Sequence, residues 1–320
     1  MNKLSKIGLT TAAVGLAAAA AKYGFVVLCD ELLFNKNMVM PHKFNARVVN
    51  CDLSVAQQYR RNNRKWLEDY GYDKHYLISD RGELLTGYHV KPKEKSNIFV
   101  VGIHGYKSHG KREFSNFAEF YSRLGVNLFF ADNIATGESE GKYCTFGYHE
   151  KEDCLKWLRY LTETFGEDIK IVLHGVSMGA ATTIMLAAKK ELPENVLAAI
   201  CDCSVTTVAA EFEEKLRNMG AKSDKLIRDI NKVNIKRVGF DIYSLRPIDD
   251  VKNVKIPMLF IHGTADTFVP CEMTKELYEA CSSREKEILL VEGADHAQCY
   301  KDGKEQYEAK VIEWLNKFVF

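Results

Sequence analysis

Residues 169–179 read Ile169-Lys170-Ile171-Val172-Leu173-His174-Gly175-Val176-Ser177-Met178-Gly179, and a helix-forming run from Ala180 to Lys190 follows them. An apolar strand that passes through G-x-S-x-G into a helix is the context in which that pentapeptide makes a sharp turn with its serine exposed at the tip. The glycines let neighbouring backbone approach closely, and the N-terminus of the following helix favours developing negative charge. Ser177 is therefore the candidate nucleophile. A structural turn without chemistry is the competing reading, and the flanking strand and helix count against it.

A serine hydroxyl needs a base, and in folds built on this turn the acid and then the histidine follow the serine in the chain. The apolar strand Met258–His262 leads into Gly263-Thr264-Ala265-Asp266, which puts Asp266 in the loop beyond a strand's carboxyl end. The next apolar run, Ile288–Val291, leads through Glu292-Gly293-Ala294-Asp295 to His296. His296 is thus the expected general base and Asp266 the acid that fixes its tautomer. Asp202, at the end of the preceding strand, is the rival acid. Asp295 is a weaker one, because a chain neighbour seldom aims its carboxylate at the adjacent ring.

An acyl-transfer site also needs two fixed N–H donors for the oxyanion. The backbone N–H of Met178, just after the nucleophile, is the first candidate. The second is the N–H of Tyr106, in His104-Gly105-Tyr106-Lys107 after the strand at Ile98–Ile103. His104 is read as shaping that turn, and Lys107, His109 and Lys111 as solvated residues bordering the mouth. His149-Glu150-Lys151-Glu152-Asp153 has Asp153 where a metalloprotease motif has its second histidine, so it reads as a helix start. His174 reads as a packing residue.

Around these motifs the chain alternates apolar, strand-like runs with longer helical patterns, which predicts an α/β fold. Strands are expected at residues 76–79 and 84–90, as an opening hairpin, and at 98–104, 126–131, 169–174, 196–202, 258–262 and 287–291. Helices are expected at 113–124, 149–164, 178–191, 272–281 and 304–318. The result is a mostly parallel eight-stranded sheet flanked by helices. Between Asp202 and Met258 the connection is longer than a crossover helix requires, and it is read as a helical lid at about 204–252. A decorated connection with no role at the site is the alternative.

With these motifs in hand, the chain resembles the bacterial α/β-hydrolases of the serine aminopeptidase and monoacylglycerol-lipase-like branch, including membrane-anchored, Bem46-like members. The resemblance covers roughly residues 75–318. It rests on Ile103-His104-Gly105-Tyr106, on Asp132 through Gly137-Glu138-Ser139-Glu140-Gly141, on Gly175–Gly179, on His262-Gly263-Thr264-Ala265-Asp266 and on Asp295-His296. It implies the same triad and an ester-type hydrolase, carboxylesterase or lipase-like, with a peptidase or amidase using the same triad as the alternative. One departure stands out: Ile134 and Ala135 replace the arginine and first glycine of the D-x-R-G-x-G that such proteins often carry.

Composition narrows the remaining classes. The 320 residues are 46% hydrophobic, enough for one large α/β domain, and 44 basic residues nearly cancel 43 acidic ones. That balance, with no long run of one sign, argues against a nucleic-acid partner. The nine cysteines are an odd number without C-x-x-C pairs, and they read as buried thiols rather than a disulfide framework. Cys201-Asp202-Cys203 alternates as the end of a buried strand would, so neither a metal nor a cofactor is expected. The partners expected are a small ester or acyl substrate and a membrane.

The membrane expectation comes from the N-terminus. Lys3 and Lys6 precede an apolar, alanine-rich stretch from Ile7 to Cys29, interrupted by Lys22, whose length approaches the roughly 20 residues needed to span a bilayer. An uncleaved anchor over residues 1–30 is the preferred reading, with residues 31–74 as linker and helical segment and the catalytic domain on the non-cytoplasmic side. A signal peptide cleaved near Ala17–Ala21 and a helix packed on the domain are the alternatives. Leu28 occupies the position where a lipidated cysteine usually follows a small residue, so Cys29 is not read as an anchor. A membrane-tethered binding protein without turnover is the contrasting class, and the retained triad and oxyanion loop weigh against it.

Overall fold

The structure, a computed structural model, describes residues 20–38, 53–218 and 223–320. Its centre is an eight-stranded sheet: β1 (Asp73–Ile78), β2 (Leu84–Val90), β3 (Ile98–Ile103), β4 (Asn127–Ala131), β5 (Lys170–Val176), β6 (Val196–Asp202), β7 (Met258–Gly263) and β8 (Lys286–Val291). Their spatial order is β1-β2-β4-β3-β5-β6-β7-β8. β1, β2 and β4 pair antiparallel, and every pair from β4–β3 to β7–β8 is parallel. The expected mostly parallel sheet with an opening hairpin is what the chain forms. β1 begins at Asp73, earlier than its apolar residues alone suggested, because its first residues are exposed and the register with His89 and Tyr88 extends the ladder.

Side chains alternate between the two faces with the period of a strand. On β7, Met258 and Phe260 join one apolar cluster while Leu259 and Ile261 join the other. The helices α1 (Leu53–Tyr70), α2 (Gly110–Arg123), α3 (Glu150–Phe165), α4 (Met178–Ala187), α5 (Val208–Asn218), α6 (Ser223–Arg237), α7 (Cys271–Ala280) and α8 (Lys304–Phe318) close these faces. Residues of α3, α4 and α7 cover the first cluster, and residues of α1, α2 and α8 cover the second. The parallel strands are buried on both faces, which is why they read as apolar runs.

A third cluster sits over the carboxyl edge of the parallel strands. α5 and α6, between β6 and β7, contribute Val208, Ala209, Phe212, Ile227, Ile230 and Val233, and α4 contributes Met178, Ala181 and Met185. The helix spanning residues 20–34 adds Val26 and Phe34, both buried. Phe34 packs edge-on against Phe146, Phe212 and Phe240, with centroids 5.7, 6.2 and 5.5 Å away.

This docking bears on the anchor expectation where the two overlap. From Val26 onward the helix faces the α/β domain: Asp30 is fully buried and paired with Arg237 at 3.3 Å, Glu31 pairs with the same guanidinium, and Lys22 meets Asp229 at 2.9 Å. Lys107 Nζ donates to the carbonyls of Leu32 and Met38, each at 2.9 Å, and thereby binds the helix C-terminus. Within the apolar run Phe25–Leu28, Val26 therefore packs on protein while Phe25 and Leu28 stay exposed. The expected division at residue 30 falls inside this helix. None of the helices among the described residues is long and apolar enough to cross a membrane. Residues 7–19 of the expected anchor lie outside the described residues.

Candidate active site

The pentapeptide of β5 and α4 makes the turn its composition requires. Ser177 sits between the strand and α4 at φ 56°, ψ −119°, a conformation disfavoured for any residue with a Cβ. It is tolerated because its surroundings lock it: Ser177 N donates to the Asp202 carbonyl at 2.8 Å, and its own carbonyl accepts from Ala180 and Ala181. A Cβ on Gly179 would lie 1.9 Å from the Ile103 carbonyl oxygen, and one on Gly175 would lie 2.3 Å from the Gly179 carbonyl oxygen. Both glycines are therefore dictated by close backbone approach.

The structure brings Ser177, His296 and Asp266 together from three loops. His296 Nε2 lies 2.9 Å from Ser177 Oγ, and His296 Nδ1 lies 2.7 Å from Asp266 Oδ2. Asp266 is buried, and its Oδ1 accepts from the N–H groups of Phe268 and Val269, each at 2.8 Å. Burial pushes its pKa up, but hydrogen bonds from His262 and His296 outweigh it and hold the carboxyl well below its usual range. An ionised Asp266 facing Nδ1 leaves Nε2 as the lone-pair nitrogen toward the serine, the arrangement that can accept the serine proton. The ring of Phe268 packs on His296 with centroids 4.7 Å apart.

The rival acids stand elsewhere. Asp202 is buried behind Ser177; burial pushes its pKa up to about 6, against the pull of His262 and of hydrogen bonds from Cys299 and Tyr307. Its Oδ1 has no hydrogen-bond partner. Asp295 Oδ1 accepts from the backbone N–H groups of His296 at 2.8 Å and Thr267 at 3.2 Å, so it ties the acid loop to the histidine loop.

His262 is the residue that the motif reading passed over. Its Nε2 lies 3.0 Å from both Asp266 Oδ2 and the Val269 carbonyl oxygen, and its Nδ1 lies 2.6 Å from Thr274 Oγ1. Two acceptors at Nε2 place the proton there, so His262 donates to the same carboxylate oxygen that faces His296. The available signal was a histidine at a strand end four residues before the acid.

On the opposite side of Ser177 lies the loop after β3. A Cβ on Gly105 would sit 3.3 Å from Ser177 Cβ, so Gly105, and with it the start of Tyr106, borders Ser177. The Tyr106 hydroxyl donates to the Leu33 carbonyl at 2.6 Å, which pins this loop to the N-terminal helix. Met178 opens α4, where the first N–H groups have no intrahelical acceptor.

His104 Nε2 accepts from Asn133 N at 3.0 Å, so its Nδ1 carries the proton and donates to the Gly105 carbonyl at 2.8 Å. It thereby joins the β3 loop to the β4 loop. In that second loop Asp132 accepts from Gly110 N, Glu138 N and the Tyr88 hydroxyl at 2.7–2.9 Å. Ala135, at the departure noted above, takes the left-handed φ of 60°, and Ile134 is buried.

The remaining candidates lie apart from the triad's hydrogen bonds. His109 caps α2, accepting from Arg112 N at 3.3 Å, and Lys111 pairs with Glu138 at 2.9 Å. Glu150, at the start of α3, accepts from Thr145 and Gly147. His174 is buried between the hydroxyls of Tyr121 and Tyr307 at 2.9 and 3.0 Å, and burial pushes its pKa down to about 3. Eight cysteines among the described residues are free thiols, seven of them buried. Two groups of potential metal ligands occur among the described residues. One is Cys203, Asp266 and His296, whose acid and imidazole already bond each other; the other, Asp73, His75 and His89, lies on β1 and β2.

A model of the prolyl oligopeptidase family matches residues 112–319, a span that holds Ser177, Asp266 and His296. The chain belongs to that family. Its family, relatives and fold place it in the α/β-hydrolase superfamily, on the Bem46-like branch. It is 26% identical over 248 residues to the uncharacterised protein YqkD of Bacillus subtilis, spanning 77% of this chain and 76% of that one. Against caffeoylshikimate esterase of Arabidopsis thaliana it is 24% identical over 288 residues, covering 77% of this chain and 86% of the other. The match to the protein Bem46 of Schizosaccharomyces pombe is 28% over 187 residues, covering 58% and 56%. Among solved structures, a Pyrococcus furiosus esterase superposes with a TM-score of 0.65 at 20% identity, covering 79% of this chain and 93% of that one. The superposition shares the fold, and the family and its relatives make the chain a hydrolase.

Proposed function

We propose that the protein is a serine hydrolase that cleaves carboxylic esters through an acyl-enzyme on Ser177. The observation that carries this reading is the unbroken hydrogen-bond chain from Ser177 Oγ through His296 to Asp266. In the proposed reaction Oγ attacks the acyl carbonyl while His296 Nε2 takes its proton, and Asp266 stabilises the imidazolium. The imidazolium then protonates the departing alkoxide. Water, deprotonated by the same nitrogen, attacks the acyl-enzyme and releases the acid. The N–H groups of Met178 and Tyr106 are proposed to hold the oxyanion, a role supported by the approach of Gly105 to Ser177 and by Met178's place at the head of α4. The sequence needs no cofactor.

Met178, Phe268 and Val269 are proposed to receive the acyl group, since all three belong to or pack on the apolar cluster above the triad. In the same reading α5 and α6 form a lid, and the N-terminal helix braces it through Arg237. The domain boundaries proposed from sequence then apply with residues 20–34 counted as part of the catalytic unit. We further propose that the N-terminal segment meets a membrane, with the domain on the non-cytoplasmic side. Tyr23, Phe25 and Leu28 support this contact, being large apolar residues exposed on the helix that continues the Ile7–Cys29 run.

A peptidase reading of the same triad is favoured by the family model, and one experiment separates the two. Purified protein and Ser177→Ala are assayed on esters of graded acyl length beside amides and peptides, with fluorophosphonate labelling in parallel. Ester turnover should dominate, fall roughly 10³- to 10⁶-fold in Ser177→Ala, and accompany an adduct on Ser177. Faster peptide turnover would replace the substrate class, and an unlabelled Ser177 in folded protein would reject the nucleophile.

A further inference from the structure

We propose that Asp73, His75 and His89 form a divalent transition-metal site, of the kind zinc occupies, at the β1 edge of the sheet. One ligand atom from each of the three residues lies within 4.8 Å of the others. The cluster follows from strand register. Asp73 pairs with His89 across the antiparallel β1–β2 ladder, and His75, two residues along β1, returns to the same face. That face is covered by α3, and the site lies beside the amino ends of β3 and β4, at the opposite edge of the sheet from Ser177.

Two buried nitrogens point to a missing ligand. His75 Nε2 and His89 Nδ1 are both shielded from solvent and neither has a hydrogen-bond partner. Their other nitrogens are held in place: His89 Nε2 lies 2.8 Å from Asn127 Oδ1, and His75 Nδ1 lies 2.8 Å from the Tyr160 hydroxyl. Asn127 itself is oriented, because its Nδ2 donates to the carbonyls of Ser96 at 2.9 Å and Ile98 at 3.1 Å. Its Oδ1 must therefore accept from His89, so the proton sits on Nε2 and the buried Nδ1 carries a lone pair. Metal-bound histidines are fixed in this way, with the distal N–H held by a second group. Tyr160, able to accept from Nδ1–H, allows His75 the tautomer that turns a lone pair inward as well.

The protonation states suit metal ligands, with the Lys91 ammonium on Asp73 as the charge that a bound cation displaces. Burial lowers the pKa of both imidazoles, which keeps their lone pairs available at neutral pH. The hydrogen bond from Lys91 keeps Asp73 ionised, with Nζ 2.5 Å from Oδ2. Two histidines and a carboxylate leave a fourth, solvent-side position for water, and tetrahedral zinc needs ligand atoms about 3.4 Å apart. The exposed Asp73 has the freedom to close that distance. Bound metal would fasten the edge strand β1 to β2 and, through Asn127 and Tyr160, to β4 and α3. A metal-free alternative exists, in which His75 Nε2–H approaches His89 Nδ1; the rings stand 5.8 Å apart between centroids.

The test uses the metal-stripped full chain titrated with zinc chloride alone. Bound zinc is counted by elemental analysis after gel filtration, and Tm is followed across the titration. One zinc per chain is expected, with Tm rising about 4 °C when free zinc exceeds Kd a hundredfold. Asp73→Ala and His75→Gln, at the solvent side of the site, should each weaken binding at least tenfold and cut the rise to about 2 °C or less while leaving the zinc-free Tm nearly unchanged. Should His89→Asn fail to fold, those two variants still decide the matter. Absence of stoichiometric zinc would overturn the proposal, as would zinc retained in both variants. Zinc lost only in His296→Ala would place the metal at the catalytic histidine and overturn it equally.

Discussion

Replacing Asp266 with asparagine tests the site most sharply, because the structure dictates how the amide must sit. Asp266 Oδ1 accepts from two backbone N–H groups, those of Phe268 and Val269. An asparagine keeps its oxygen there, since its NH₂ would otherwise face two donors. The NH₂ is then turned to the place of Oδ2, against His296 Nδ1 and His262 Nε2. A donor at His296 Nδ1 forces that nitrogen to accept, moves the ring proton to Nε2 and leaves Ser177 facing an N–H. The base is lost while the shape survives. In serine proteases the equivalent tautomer error costs about 10⁴-fold in kcat, equal to about 5.4 kcal/mol at 1.36 kcal/mol per decade. The assay is steady-state hydrolysis of the best ester by purified, equally folded wild type and Asp266→Asn, with active sites counted by fluorophosphonate titration. Loss of less than about tenfold would refute the assignment, and the mechanism would then need another group on His296 Nδ1.

Three further expectations follow from the same geometry. Gly179→Ala would set a methyl 1.9 Å from the Ile103 carbonyl oxygen and 2.9 Å from that of His104. Backbone cannot yield cheaply, so Tm should drop by about 5 °C or more, and a wild-type Tm would disprove the close approach. Asp202→Asn should keep ester turnover within about tenfold and become more stable than wild type as pH rises, because ionising the buried acid destabilises wild type alone. Its folded pKa of about 6 stands above the unfolded value near 3.9, so its ionisation opposes folding progressively between those values and constantly above them. Denaturant melts should thus coincide for variant and wild type near pH 4 and differ by about 1–3 kcal/mol above pH 6.5; a gap already present at pH 4 would contradict this. Finally, the full chain should sediment with membranes and be accessible to protease in intact cells or spheroplasts; wholly soluble protein would remove the membrane proposal, and protection until lysis would reverse its orientation.

What could be read from the sequence was whatever local pattern encodes. The apolar runs of β3 to β7 announce strands buried on both faces, and Gly175–Gly179 announces the turn, because each is a property of neighbouring residues. Asp266 and His296 were legible through chain order at strand ends. His262 was hidden by its position inside an apolar strand, where a histidine looks like packing; its role emerges only once Thr274 and Val269 fix its proton. The N-terminal helix shows the other limit. An apolar run carries no mark of whether lipid or protein will cover it; what decided Asp30 was an arginine 207 residues away, and what decided Val26 was an apolar cluster built from distant parts of the chain. Likewise the apolar stripe of Ile227, Ile230 and Val233 was masked by the charges around it, and Asp73 and His75 share a visible alternation whose third member requires the register with β2.

The backbone locates the site independently of any motif. Six non-glycine residues among those described have a left-handed φ: Lys107, Ala135, Phe146, Ser177, Cys203 and Ala297. All six fall in loops beyond the carboxyl ends of strands, after β3, β4, β4, β5, β6 and β8 respectively. Each such conformation costs on the order of 1–2 kcal/mol, and chance would not gather them along one edge of the sheet. Their neighbours explain how they persist: Ala135 N is bound to the Glu140 carbonyl at 2.7 Å, Cys203 N to that of Ile261 at 2.9 Å, and Ser177 N to that of Asp202 at 2.8 Å. Rigid parallel strands absorb the strain of loops that, in the proposed mechanism, present an oxygen nucleophile, an imidazole and two N–H groups at fixed separations. Ligands of open α/β sheets bind at this same edge. The strained backbone at Ala297, the residue after His296, and at Ser177 thus has one cause: the side chains of His296 and Ser177 are held in reach of each other, at the expense of local comfort, by the buried core beneath them.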